Sequence, residues 1–233
     1  MTVRRIVTSR SGGVSTGPYA SFNLGDHVGD DPAAVAANRL RLAGAAGLEL
    51  DHLIWMEQIH GATVQVVDGP RTSPVEATDG LVTATPGVAV AALVADCVPI
   101  LLADPANGVV AAVHAGRVGA AAGVVARAVE AFRSAGGDPA AADALLGPAI
   151  CGACYEVPPD MQAAVESRLP GSAVRTRAGT AGLDLRAGLA RQLAGLGVDR
   201  IVTDPRCTSE DPGLYSHRRD GVTGRQAAVA WID

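Results

Sequence analysis

The chain contains no lysine: all nineteen basic side chains are arginine. That excludes a Schiff-base lysine, a pyridoxal-phosphate lysine and the lysine of a Walker A loop. Any anion must be held by arginine or by backbone N–H groups. Aromatic residues are scarce, at 3%, so Ala, Val and Leu have to fill the interior. No apolar run reaches the ~18 residues of a membrane span. The basic start Met1-Thr2-Val3-Arg4-Arg5-Ile6 leads into a Gly- and Ser-rich stretch rather than an apolar segment. No signal peptide is therefore expected, and a cytoplasmic location is. The net charge is −5 and arginine forms no basic run, which argues against a nucleic-acid partner. With no secretion signal, the four cysteines (Cys97, Cys151, Cys154 and Cys207) read as thiols rather than as a disulfide framework.

What is present is a chain of 233 residues that is 48% hydrophobic and 18% charged. That suits one folded domain over residues 1–233, and no linker divides it. Strand-like runs fall at 3–8, 53–56, 62–67, 88–94, 98–103, 108–113, 143–150, 173–177 and 199–203, with a strand-like tail from 223. Residues 53–56 and 62–67 look like a pair around Gln58-Ile59-His60-Gly61. Helical spacing covers 32–47 behind a capping Asp30 or Asp31, 119–135, 159–168 and 184–196 behind Asp184. The mixture is α/β, and short turns within 88–114 imply antiparallel neighbours and a mixed sheet.

His60, Cys97 and His114 each end or border an apolar run, and small residues follow both histidines. Two imidazoles and a thiolate satisfy a catalytic zinc site that leaves a fourth position open. The spacings of 37 and 17 residues match no local zinc signature. A metal-free reading is equally open from the residues alone, with Cys97 as nucleophile and His114 as its base. Cys151-Gly152-Ala153-Cys154 is a lone CxxC with no second pair in the sequence, and it reads as a tight turn after a strand.

Taken in order, the motifs resemble the YfiH-type proteins, the laccase-domain family also called multicopper polyphenol oxidases, peptidoglycan-editing factors and purine nucleoside phosphorylases. The matching segments are Thr8-Ser9-Arg10-Ser11-Gly12-Gly13-Val14-Ser15, Tyr19-Ala20-Ser21-Phe22-Asn23-Leu24-Gly25-Asp26-His27-Val28-Gly29-Asp30-Asp31, Asn38-Arg39, Gln58-Ile59-His60-Gly61, Ala95-Asp96-Cys97-Val98-Pro99 and His114-Ala115-Gly116. Gly147-Pro148-Ala149-Ile150, Cys154-Tyr155-Glu156-Val157, Cys207-Thr208 and the run from Tyr215 to Gln226 continue the match.

The resemblance implies zinc on His60, Cys97 and His114. It also implies an α/β/β/α layered fold related to cytotoxic-necrotizing-factor-type cysteine hydrolases. The implied activity is phosphorolysis of adenosine, inosine, guanosine and methylthioadenosine, with adenosine deamination alongside. Two departures stand out. Arg117-Val118-Gly119 replaces the commoner Trp-Arg-Gly, and Cys151-Gly152-Ala153 replaces the commoner Gly-Pro-Cys.

Phosphorolysis needs an anion clamp, a charge sink for the purine and a dry pocket. Arg10, Arg39, Arg218 and Arg219 are the clamp candidates. Asp96 is a candidate to orient a ligand histidine or carry a proton. Asn23 is placed on ribose or base, and Tyr155, with Glu156, on the pocket wall. The alternatives are a Cys–His hydrolase of amides or peptidoglycan precursors, a copper oxidase of phenols, and a protein that only binds. Copper is disfavoured: a type 1 plus trinuclear set takes on the order of ten histidines, and the chain has five.

Overall fold

A computed structural model describes residues 1–233. In chain order the elements are β1 (Val3–Val7), α1 (Pro32–Ala46), β2 (Leu53–Ile54), β3 (Val64–Val66), β4 (Gly80–Thr83), β5 (Ala89–Val94), β6 (Val98–Asp104), β7 (Val109–Ala115), α2 (Arg117–Ala121), α3 (Val124–Ser134), β8 (Asp143–Leu146), α4 (Pro159–Glu166), β9 (Ala173–Arg175), β10 (Ala181–Leu183), α5 (Leu185–Gly195), β11 (Arg200–Thr203), α6 (His217–Asp220) and β12 (Gln226–Ile232). No helix is long and apolar enough to cross a membrane.

Local signals explain the long helices. Asp31 caps α1 by accepting from the Ala33 N–H, Pro32 opens it, and Gly47 ends it in the left-handed region. Asp184 caps α5 by accepting from the Ala187 N–H. The helix expected from 119 to 135 is two helices, because Gly123 adopts φ 86° between α2 and α3.

A four-stranded sheet runs β1-β12-β5-β2, a six-stranded sheet runs β11-β8-β6-β7-β4-β3, and β9 pairs with β10. Strand periodicity divides the interior into three layers. On β5, Val90 and Ala92 face the second sheet, whereas Ala89, Ala91 and Leu93 pack with Leu42 and Ala43 of α1. On β7, Val110 and Ala112 face the first sheet, whereas Val109, Ala111 and Val113 pack with α3 and α5. The layers are thus α/β/β/α. Ala92, Ala103, Ala112, Ala228 and Ala230 lie in the core between the sheets. Small side chains close that gap, which accounts for a full core with so few aromatics.

Two expectations about pairing are corrected. Residues 53–56 and 62–67 do not pair: β2 joins β5 in one sheet and β3 joins β4 in the other. The antiparallel turn holds for β6 and β7. β5 and β6, though adjacent in sequence, belong to different sheets. The segment 95–97 crosses between the sheets, and this crossing builds the site.

Candidate functional site

His114 has the same parity on β7 as Val110 and Ala112, so its imidazole leaves the strand end on the side between the sheets. Cys97 sits on the crossing immediately before β6. His60 is carried by the loop that follows β2. The three ligand atoms lie within 4.8 Å of one another. Cys97 Sγ is 3.9 Å from His60 Nε2, and the two imidazoles meet edge to face at 4.7 Å between centroids.

The residue that fixes both histidines is Asp79, which the sequence reading passed over. It lies opposite His114 on the β4–β7 ladder, where the His114 N–H donates to the Asp79 carbonyl. The fully buried Asp79 carboxylate accepts from His114 Nδ1 at 2.8 Å, from the Gly61 N–H at 2.6 Å and from the His60 N–H at 3.0 Å. One carboxylate therefore orients the His114 ring and shapes the His60 loop. With Nδ1 donating, the lone pair of His114 Nε2 is left for the site. Gln58 ties the same loop to β5: its amide donates to the Leu93 carbonyl and accepts from the Leu93 N–H, both at 2.8 Å. His60 takes φ 59°, a left-handed conformation held by these bonds.

The glycines around His114 have steric causes. A Cβ on Gly116 would lie 2.8 Å from the His60 ring and 3.0 Å from Cys97 Sγ. A Cβ on Gly119 would lie 2.5 Å from the Gly61 carbonyl oxygen. Both are close approaches that only glycine permits.

The electrostatics form a chain of opposite charges. Burial alone would push the Cys97 thiol up, but hydrogen bonds and charge from His114 and His60 outweigh it and bring it to about 6. Burial alone would lower His114, but Asp79 and Cys97 on either side raise it to about 9. Asp79 is held below its ordinary value: His114 and the Gly61 and His60 N–H groups overcome the opposing effect of burial. Without a metal, Cys97 is a thiolate beside an imidazolium.

A cleft of about 400 Å³ opens over this cluster. His27, His217, Arg117, Tyr155, Arg218 and Arg225 also line it. Of the residues expected to bind substrate, Tyr155 and Arg218 are there. The Arg218 guanidinium stacks over the Tyr155 ring at 5.0 Å and donates to the Glu156 carbonyl at 3.0 Å. Arg225 donates to the Thr223 and Gly224 carbonyls, both at 3.0 Å. Arg117 and Arg225 are cleft arginines that the four clamp candidates left out.

The other expected contacts are corrected by the geometry. Asn23 is fully buried, accepts from the Gly25 and Arg225 N–H groups, and donates to the Gly25 carbonyl and Asp30. Its polar atoms hold a turn and face no cleft. Arg10 stacks over Tyr215 and donates to the Ala20 carbonyl. Arg39 stacks over Trp55 at 4.4 Å and pairs with Asp26, away from the cleft. Arg219 donates to the Thr208, Asp211 and Leu214 carbonyls and to Asp220. These arginines cross-link backbone.

Asp96 lines the cleft but orients no histidine. Its carboxylate accepts from Thr208 Oγ1 at 2.6 Å, Ser216 Oγ at 2.7 Å and the Arg218 N–H at 2.7 Å. Those bonds hold its φ at 95° and so set the sheet-to-sheet crossing that presents Cys97.

The family described as "Multi-copper polyphenol oxidoreductase laccase" matches residues 4–233. A purine nucleoside phosphorylase of Mycobacterium tuberculosis is 58% identical over 231 residues, covering 99% of this chain and 92% of that one. A purine nucleoside phosphorylase of Corynebacterium glutamicum is 57% identical over 232 residues, covering 99% and 94%. The crystal structure of YlmD from Geobacillus stearothermophilus superposes with a TM-score of 0.92 at 36% identity, covering 99% and 92%. That of YfiH from Bacillus licheniformis gives 0.92 at 32%, covering 99% and 93%. With the match running almost end to end in sequence and in fold, the chain belongs to this laccase-like family of YfiH-type proteins.

Proposed function

We propose that this chain is a zinc-dependent purine nucleoside phosphorylase acting on adenosine, inosine, guanosine and methylthioadenosine, with adenosine deamination as a second activity at the same site. The observation that carries the reading is the cluster of His60, Cys97 and His114 at the floor of an arginine-lined cleft. Relatives above 50% identity bear the name purine nucleoside phosphorylase.

The donor set fits zinc. It offers two imidazoles and a thiol already brought to about 6, with one histidine backed by a carboxylate. His60, Cys97 and His114 would hold the ion, which when bound supplies Lewis acidity toward the substrate at an open position. Copper oxidase chemistry is disfavoured, because the only two clusters of metal-ligating side chains contain two histidines between them.

The chain's own residues supply the remainder. In phosphorolysis a phosphate oxygen bonds to the anomeric carbon as the bond to the purine nitrogen breaks, and the purine leaves with the electron pair. Arg117 and Arg218 place positive charge in the cleft for the phosphate, and Arg218 is kept in place by Tyr155 and the Glu156 carbonyl. His217, with Nδ1 directed at the Gly221 carbonyl at 2.8 Å, presents Nε2 as a proton carrier for the leaving purine. Leu93, Ile150 and Leu185 give the wall an apolar side that limits water.

A second reading has its own observation. Cys97, His114 and Asp79 form a thiolate–imidazolium–carboxylate array suited to a metal-free cysteine hydrolase of amides or peptidoglycan precursors. Incubation with adenosine, with and without phosphate, separates the readings. Adenine appearing only with phosphate supports phosphorolysis, and inosine without phosphate marks deamination. A zinc-free chain that leaves adenosine untouched but cleaves amides would select the hydrolase.

A further inference from the structure

The sequence holds no second CxxC to match the Cys151–Cys154 turn, yet the fold brings Cys207 and Glu210 beside it. Cys207-Thr208-Ser209-Glu210 forms a turn of the same kind. In the first turn the Cys154 N–H donates to the Cys151 carbonyl at 3.0 Å, and in the second the Glu210 N–H donates to the Cys207 carbonyl at 3.1 Å. The two turns are docked by a bridge between Ala149 and Cys207 and by the Thr208 N–H donating to the Ala149 carbonyl. The ligand atoms of Cys151, Cys154, Cys207 and Glu210 all lie within 4.8 Å of one another. Tetrahedral zinc with bonds of about 2.3 Å to sulfur places its ligands about 3.8 Å apart, so the cluster is already near that size.

We propose that Cys151, Cys154, Cys207 and Glu210 form a second, closed metal site that takes a thiophilic divalent cation such as zinc and clips two cleft-forming loops together. Its chemistry differs from that of the first cluster. Three sulfurs and a carboxylate fill all four tetrahedral positions, so the site is structural and leaves no place for substrate. The Cys151 N–H already donates to Cys207 Sγ at 3.3 Å, the kind of bond that steadies a metal-bound thiolate. Arg177 pairs with Glu210 and offsets the negative charge of the set. Gly152 allows the first turn to close, since a Cβ there would lie 2.8 Å from Val174 and 2.9 Å from Asp184.

The position explains the use of such a clip. Cys154 is followed by Tyr155, the platform under Arg218. Cys207 is followed by Thr208, which donates to Asp96 at 2.6 Å, and the Ile150 N–H donates to the Asp96 carbonyl at 3.0 Å. Both turns thus bear on the crossing that presents Cys97. Cation binding releases the thiol protons and joins loops more than fifty residues apart, so it adds to folding stability.

Metal counting on the His60→Ala/His114→Ala double variant tests this independently of the proposed activity, because the first cluster is dismantled there. Purified with a thiol reductant, the variant should keep about one zinc per chain, and cobalt exchange should give intense thiolate-to-cobalt absorption. Adding Cys151→Ser or Glu210→Gln should lower retained zinc at least tenfold under a chelator challenge. If these variants fail to fold, the wild-type chain should still carry about two zinc ions rather than one. A double variant that folds and holds no metal would overturn the proposal. So would a wild-type chain whose only zinc is bound by His60, Cys97 and His114, or one with a mass two hydrogens short that marks a disulfide among Cys151, Cys154 and Cys207.

Discussion

Replacing Asp79 with asparagine keeps the shape of the side chain and removes its charge. In the native site one carboxylate oxygen accepts from His114 Nδ1 and the His60 N–H, and the other accepts from the Gly61 N–H. An amide can serve only one of these edges. If its nitrogen faces Gly61, two N–H donors oppose each other. If it faces His114, the ring must switch tautomer, and Nε2 then carries a proton where a metal ligand needs a lone pair. Either outcome loses a charge-assisted bond of about 1.5–3 kcal/mol and strands a buried donor at about 1–3 kcal/mol. A total near 3–5 kcal/mol is also what breaking a buried charge pair costs. At about 2–4 °C per kcal/mol for a chain of this size, the melting temperature should fall by about 6–20 °C. Zinc affinity should fall by about 10–100-fold, the usual effect of removing a carboxylate behind a ligating histidine. Differential scanning fluorimetry and competition with a chromophoric chelator measure the two quantities. An Asp79→Asn chain that melts like the wild type and binds zinc equally well would refute the role given to this carboxylate.

The elements most legible in the sequence are those with chemical punctuation. α1 begins at Asp31 and ends at Gly47, and α5 begins at Asp184, because caps and left-handed glycines are local facts. The three clustered side chains were legible because each borders an apolar run. Sheet membership was not, since β5 and β6 read as neighbours and the chain between them crosses from one sheet to the other. Asp79 was missed for a related reason. Its partnership with His114 is a cross-strand relation 35 residues apart, and its local signal is only a carboxylate ahead of the short buried run Gly80–Thr83. The arginines misled because charge on a sequence does not say what it will meet. Arg10, Arg39 and Arg219 are spent on carbonyls and aromatic faces. Arg117 and Arg225 reach the cleft.

Alkylation of the zinc-free chain by iodoacetamide, followed by peptide mass spectrometry, should show Cys97 reacting with a midpoint near pH 6. Its folded value is depressed, so the thiolate is present above that pH and is lost as the pH falls through it. A midpoint near the ordinary thiol value of about 8.5 would contradict the thiolate–imidazolium pair. Gly119→Ala forces a Cβ against the Gly61 carbonyl and should cost about 1–3 kcal/mol while weakening zinc binding through the His60 loop. Gly44→Ala, in open space on α1, should instead add about 0.5–1 kcal/mol; thermal melts of the two variants compare them. Arg218→Ala should raise the KM for phosphate about 10–100-fold, from the loss of one charge-assisted contact. Arg219→Ala should lower stability and leave that KM unchanged. Equal effects of the two on steady-state kinetics would remove Arg218 from the clamp.

Anomalous diffraction across the zinc absorption edge, from crystals of the protein as purified, tests the central claim most directly. A strong peak bonded to His60 Nε2, Cys97 Sγ and His114 Nε2, with one coordination position turned to the cleft and separate from the peak expected at Cys151, Cys154, Cys207 and Glu210, is the predicted result. Density that leaves those three side chains free of any ion while the crystals turn over adenosine would contradict it.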